Sequence, residues 1–295
     1  MRKFISDFNK LIKLRLTLTV VFSASVCFLM GSKQQGDINW INWMILTIGG
    51  FLVTGAANGF NEIIEKDLDK LMKRTMGRPI PAGNMTTGQA LVLSLIMGIA
   101  GTLLLVRLNF PSGVLAVFSI FLYAFVYTPM KRKSPIAVFI GAFPGALPPL
   151  IGYFAAFNEP RISWIPIILF LIQFVWQFPH FWAIAWVLDE DYKRAGFRLL
   201  PTTRQDKTSA FITLASAIIL IPVSLMPSIY LIPSGQPFGG NIYVLVAIIS
   251  GLFFAWQAVQ LYLKRDVPSA KKLMYTSFFY LPVLQLTLLF DFIAK

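Results

Sequence analysis

The sequence predicts an all-α membrane protein: nine transmembrane helices in a single domain over residues 1–295, with the N-terminus in the cytoplasm. Three observations carry this. The chain is 56% hydrophobic and only 13% charged, with mean hydropathy +0.68, against a charged fraction of about 25% in soluble domains. Apolar runs approaching or exceeding the ~20 residues that a bilayer crossing needs recur along the whole length. The basic residues crowd into alternate connecting segments.

The runs fall near 14–32, 42–62, 90–107, 112–130, 136–157, 162–187, 208–232, 241–263 and 273–293, the third and fourth being open to a different division. The fifth carries Gly141, Pro144, Gly145, Pro148, Pro149 and Gly152, which predicts close helix approach or broken backbone along a cavity. The sixth carries Gln173, Gln177 and His180; a lone buried histidine is commonly hydrogen-bonded structure, and its place in a bundle interior beside two Gln and two Trp favours a functional role.

Of the 26 lysines and arginines, all but Lys33, Arg107, Arg161 and Lys295 lie in five segments. These are the N-terminal stretch, the loops at 63–89, 131–135 and 188–207, and the last loop with Lys264, Arg265, Lys271 and Lys272. Nine spans put all five on one side, and the excess of positive charge makes that side cytoplasmic. The net charge of +13 thus reads as topology and attraction to anionic lipid. No basic surface stands free of the membrane, which argues against nucleic acid as a partner. Cys27 is the one cysteine and excludes an intramolecular disulfide. The first run has no small-residue cleavage site behind it and reads as a retained span. No long Arg/Ser-rich transit segment precedes it, which favours a prokaryotic plasma membrane or a mature chain; the expected location is the plasma (inner) membrane of a prokaryote.

Acidic residues are scarce, yet Glu62, Glu65, Asp67 and Asp69 fall together after the second run. At 100° per residue, Asn58, Asn61, Glu62, Glu65 and Asp69 share one helix face and Asp67 points away. A stripe of oxygen ligands suits Mg²⁺, which is typically held by one or two carboxylates together with substrate phosphates. Arg74 and Arg78 follow, suited to binding the same phosphates bidentately. The competing reading is a solvated helix end pairing with Lys66, Lys70 and Lys73. Asn58 and Asn61 extend the polar face toward the bilayer and favour the metal–diphosphate site.

A second acidic group, Asp189, Glu190 and Asp191 followed by Arg194 and Arg198, repeats this arrangement four spans later. Counted along a continuous helix, Gln173, Gln177, His180 and Asp191 lie within about 60° of one another and Asp189 lies opposite. Pro179 is placed to kink that helix. His180 is the only histidine. The bases of Tyr127-Thr128-Pro129-Met130-Lys131-Arg132-Lys133 are explained by topology alone, and Lys131 and Arg132 also lie on the correct side to reach a diphosphate. No Walker A loop, metalloprotease histidine pair or convincing Ser-His-Asp set competes.

Asn61-Glu62-x-x-Glu65-x-x-x-Asp69, with Arg74-Thr75 and Arg78-Pro79-Ile80-Pro81-Ala82-Gly83 behind it, resembles the first Asp-rich motif of the UbiA superfamily of intramembrane prenyltransferases. Glu stands at two places where Asp is commoner. Tyr127 to Arg132, Trp176-Gln177-Phe178-Pro179-His180-Phe181-Trp182, and Asp191-Tyr192-x-x-Ala195-Gly196 with Leu200-Pro201 are similar to its haem-farnesylating branch. The resemblance implies a UbiA-type bundle around a central cavity and farnesyl transfer from farnesyl diphosphate to a vinyl group of haem B. It implies Mg²⁺ on Asn61, Glu65 and Asp69 together with a carboxylate of the second group, Asp189 or Asp191, of which the helical count favours Asp191. It also implies Asn58, Arg74, Arg78, Lys131, Arg132, Gln177, Tyr192 and Lys193 on the substrates. His180 would position haem as an iron ligand or act as a base. A haem A synthase or an oxidase-assembly protein is the further partner it suggests, besides the lipid bilayer. One departure stands out: the second Asp-x-x-x-Asp motif of the superfamily is incomplete, since Ala195 follows Asp191 and Lys193 follows Asp189 at that spacing. A related prenyltransferase with another acceptor, and a transporter with a charged gate, are the alternatives.

Overall fold

The computed structural model describes residues 2–160, 162–231 and 235–292. Arg161, Lys295 and the expected span ends at 232 and 293 lie outside the described residues. A short α1 (Arg2–Leu11) precedes the first membrane-length helix, α2 (Leu14–Gln35). Between them Lys13 adopts a left-handed conformation, φ 50°, which breaks the two helices apart. α3 (Trp40–Asp69) and α4 (Thr87–Leu108) follow. The fourth span runs through α5 (Phe110–Phe121), a π-helical turn Leu122–Tyr127, and α6 (Thr128–Met130). Then come α7 (Ile136–Ala155), α8 (Trp164–Val187), the short α9 (Asp189–Arg194), α10 (Lys207–Ile229), α11 (Asn241–Lys264) and α12 (Val267–Phe290). Among the described residues, nine helical segments are long and apolar enough to cross a bilayer. They match the nine expected runs.

Polar residues set the helix starts by occupying the orphan N–H groups of the first turn. Thr86 and Gln89 form a reciprocal capping box on α4; Asn39, Asn109, Asp206 and Asp266 cap α3, α5, α10 and α12. α2 packs against α3, α7 and α12, and α8 against α7, α10 and α12. α2, α3, the π-helical turn, α7, α8 and α12 thereby wall a central cavity. Outward-facing apolar side chains such as Ile99, Leu103, Phe253 and Trp256 are exposed, as expected where lipid is the solvent.

α7 shows what the Gly/Pro-rich span does. Its backbone is unbroken through Pro144, Pro148 and Pro149, so close approach, not a broken helix, is the outcome. A Cβ on Gly141 would sit 2.7 Å from the Tyr127 ring, and one on Gly145 would collide with the Gln177 amide. Likewise α8 continues through Pro179; it stops at Leu188.

Candidate functional site

The stripe expected on α3 is real, and it is helical where a loop from 63 was expected: α3 continues to Asp69 before the loop begins. Asn58, Asn61, Glu62, Glu65 and Asp69 are all buried, while Asp67 is exposed and pairs with Lys70. The solvated-helix reading therefore holds for Asp67 alone.

Most of the polar groups on this stripe meet a specific partner. Arg78 Nη1 donates to Asp69 Oδ2 at 2.6 Å, and Lys131 Nζ to Glu65 Oε1 at 2.9 Å. Lys13 Nζ donates to Asn61 Oδ1 at 2.6 Å, and Asn61 Nδ2 to Thr128 Oγ1 at 3.0 Å. Glu62 Oε1 accepts the Ile80 N–H at 3.0 Å, and Thr75 Oγ1 donates to the Asp69 carbonyl at 3.0 Å. These last two contacts fold the 70–86 loop back so that Arg78 faces α3.

The π-helical turn adds a residue to one helical turn, a distortion common at functional sites. Here it sets Tyr123 and Tyr127 on the cavity wall; the Lys131 ammonium lies 4.7 Å from the Tyr127 ring centre and 5.5 Å from that of Phe197. Burial opposes charge on Lys131, but adjacent Glu65 outweighs it and holds the ammonium above the ordinary lysine value. Burial, with Arg78 and Lys131 nearby, pushes Lys13 well below it.

These groups line one end of a cavity of about 720 Å³, within the range of small-molecule sites. Asn58, Asn61, Glu65, Asp69, Arg74, Arg78, Lys131, Gln177, His180 and Tyr192 are on its wall. Among the described residues five bases, Lys13 and Arg15 among them, and two carboxylates line it there, an excess of positive charge that suits an anion. Farther along, α8 presents Gln177, whose Nε2 donates to the Ala142 carbonyl at 2.9 Å, and Gln173, bonded to Ser23 and to Gln285 of α12. His180 stacks on Trp176 with ring centres 4.3 Å apart.

Three expected site residues lie elsewhere. The helical count that grouped Asp191 with Gln177 and His180 fails because α8 ends and Leu188 interrupts it. Asp191 sits at the rim, accepting the Lys73 and Arg74 N–H groups at 3.3 and 3.2 Å. Arg132 and Lys193 are exposed outside the cavity wall, Lys193 pairing with buried Asp189. Lys13 and Tyr123 were missed. A lysine ahead of an apolar run reads as a topology determinant, and an isolated Tyr in a span carries no distinguishing pattern.

Among the described residues no three His, Cys, Asp or Glu side chains are preassembled as a metal cage. Asp69 Oδ1, however, is buried without a partner at the cavity wall, and Glu65 lies one helical turn away. Two carboxylates and an amide suit a Mg²⁺ ion that takes its remaining ligands from substrate phosphates and water. The residues present fit the ion in that mode.

Fold and site define an integral, multi-pass membrane protein with a buried, anion-receptive chamber. The chain belongs to the UbiA prenyltransferase family, whose profile matches residues 20–282. It is 44% identical to a protoheme IX farnesyltransferase from Cytophaga hutchinsonii, over 96% of both chains. Its fold is similar to that of a digeranylgeranylglyceryl phosphate synthase, with TM-score 0.80, 20% identity and 99% of each chain covered. It is also similar to a UbiA homologue from Archaeoglobus fulgidus bound to DMAPP and Mg²⁺, with TM-score 0.67, 12% identity, and 96% of this chain and 99% of that one covered.

Proposed function

We propose that this chain transfers a farnesyl group from farnesyl diphosphate to a vinyl group of haem B, making haem O. The observation that carries the reading is one cavity with two chemically different regions. A mouth of bases and carboxylates suits a diphosphate, and an apolar, aromatic wall holding the lone histidine suits a flat acceptor. Full-length similarity to a protoheme IX farnesyltransferase supports the acceptor.

In this mechanism the allylic C–O bond breaks, the diphosphate departs, and C1 of the farnesyl group bonds to the terminal carbon of the vinyl group. The cation left on the inner vinyl carbon takes up water and loses a proton, which balances the hydroxyl of the product. Arg74, Arg78, Lys131 and Lys13 hold the diphosphate oxygens as negative charge develops on them, the electrostatic task that pre-aimed donors do best. Asn61, Glu65 and Asp69 would hold Mg²⁺, which supplies further charge neutralisation to the leaving group. Tyr123, Tyr127 and Phe197 keep the reacting carbon out of bulk water. Asp191 serves by clamping the backbone of Lys73 and Arg74.

The excess of basic residues in the alternate segments supports a mouth on the cytoplasmic face, in what we read as a prokaryotic plasma membrane. Membranes containing the chain, supplied with haem B, farnesyl diphosphate and Mg²⁺, are expected to yield haem O on chromatography. Diphosphate release with another acceptor, and no haem O, would overturn the assignment.

A further inference from the structure

His180 on α8 is buried, and its Nδ1 lies 2.7 Å from Ser277 Oγ on α12. That hydroxyl lies 2.5 Å from the Met274 carbonyl oxygen. A carbonyl has no hydrogen to give, and two oxygens this close repel unless one lies between them, so the single hydroxyl hydrogen points to Met274. Toward the imidazole, Ser277 Oγ is left only as an acceptor. The ring therefore carries its proton on Nδ1 and holds a lone pair on Nε2. Among the described residues Nε2 has no hydrogen-bond partner, and His180 lines the cavity.

The ring is also held in place. Trp176 stacks on it at 18° between planes, and Phe278 closes on it at 5.1 Å and 73°. Trp176 is itself pinned, its Nε1–H donating to the Ser277 carbonyl at 3.1 Å. One residue of α12 thus fixes both rings, His180 through its hydroxyl and Trp176 through its backbone. An imidazole with one N–H committed to an outer partner and the other nitrogen bare in an apolar chamber is arranged as a metal ligand.

We infer that Ser277 is a positioning residue that sets the His180 tautomer and presents Nε2 as an axial ligand to the iron of the haem acceptor. The inference rests on the acceptor proposed above. Without the Ser277 hydroxyl, Nδ1–H loses its acceptor, and the ring is free to change tautomer or turn.

The test uses the full chain in detergent, titrated with haem B and read by absorption and by the iron–histidine stretching band of the ferrous form. Ser277→Ala is expected to weaken haem binding about 10-fold or more and to shift or broaden the band, with farnesyl diphosphate affinity unchanged. Ser277→Thr is expected to restore both. His180→Gly is expected to lose the band, and added imidazole to return it. The role of Ser277 is overturned by haem affinity and band in Ser277→Ala equal to wild type. A band that persists in His180→Gly without imidazole overturns the ligation itself. Should Ser277→Ala not accumulate, Ser277→Cys, a weaker acceptor of similar shape, must shift the band; an unshifted band counts against the inference. A wild-type chain that binds no haem B overturns the acceptor reading instead, so the two failures are distinguishable.

Discussion

Lys131 Nζ and Glu65 Oε1 stand 2.9 Å apart in a buried ion pair that joins the end of the fourth span to the last turns of α3. With Arg78 on Asp69 at 2.6 Å, it leaves both cavity carboxylates neutralised by side chains that also suit phosphate. In the proposed reaction a diphosphate would draw the bases away, and Mg²⁺ would satisfy the carboxylates they leave. Diphosphate and Mg²⁺ together are therefore expected to raise the melting temperature of the purified chain by more than the sum of their separate effects. At 100 times the dissociation constant, the linkage is worth about 2.7 kcal/mol. Strictly additive shifts would contradict this exchange.

Asp69→Asn keeps the shape of the side chain but removes its charge. Diphosphate release is expected to fall about 100-fold or more, with the helical spectrum unchanged. Turnover within a few-fold of wild type would remove Asp69 from the site.

Lys13 supplies a pH dependence. Its value is pushed down by burial, with Arg78 and Lys131 adding to the shift, so it is charged only below that lowered value. Diphosphate affinity is expected to fall as pH rises through a range below the ordinary lysine value, and Lys13→Arg to abolish that fall. The stability of the ligand-free chain has the opposite sign. A lysine whose folded value is depressed costs stability while charged, so stability rises with pH between the folded and unfolded values. A flat binding profile from pH 6 to about 10 would refute the assignment.

Gly141→Ala places a methyl group 2.7 Å from the Tyr127 ring. The ring must shift, and with it the surface that Lys131 rests on. A loss of about 1–3 kcal/mol in stability is expected, together with weaker diphosphate binding. Stability equal to wild type would show that α7 and the π-helical turn yield freely.

At the rim, Arg132→Ala is expected to leave turnover within about two-fold of wild type, as surface substitutions generally do. Asp191→Asn is expected to raise KM for farnesyl diphosphate while leaving the Mg²⁺ dependence as it was, because Asp191 holds backbone and does not face the cavity. A shifted Mg²⁺ requirement would return Asp191 to the metal site.

Much of this protein is legible without coordinates because it follows from local rules. Apolar runs the length of a bilayer define the nine spans. The 3.6-residue repeat alone separates Asn58, Asn61, Glu65 and Asp69 from Asp67, since neighbours on one helix face are determined by spacing along the chain. What spacing cannot carry is a break in the helix or a meeting between helices. Leu188 interrupts α8, so the count that led to Asp191 ended before it arrived. Lys13 reaches Asn61 only because its left-handed backbone separates α1 from α2, and Tyr123 faces the cavity through a turn that departs from the α-helical period. Ser277 meets His180 across 97 residues, a contact that exists only once α12 packs on α8. By itself the sequence determined which residues share a face wherever a span keeps the regular helical period; tertiary packing decided where that period breaks and which faces meet, and so which side chains share one chamber.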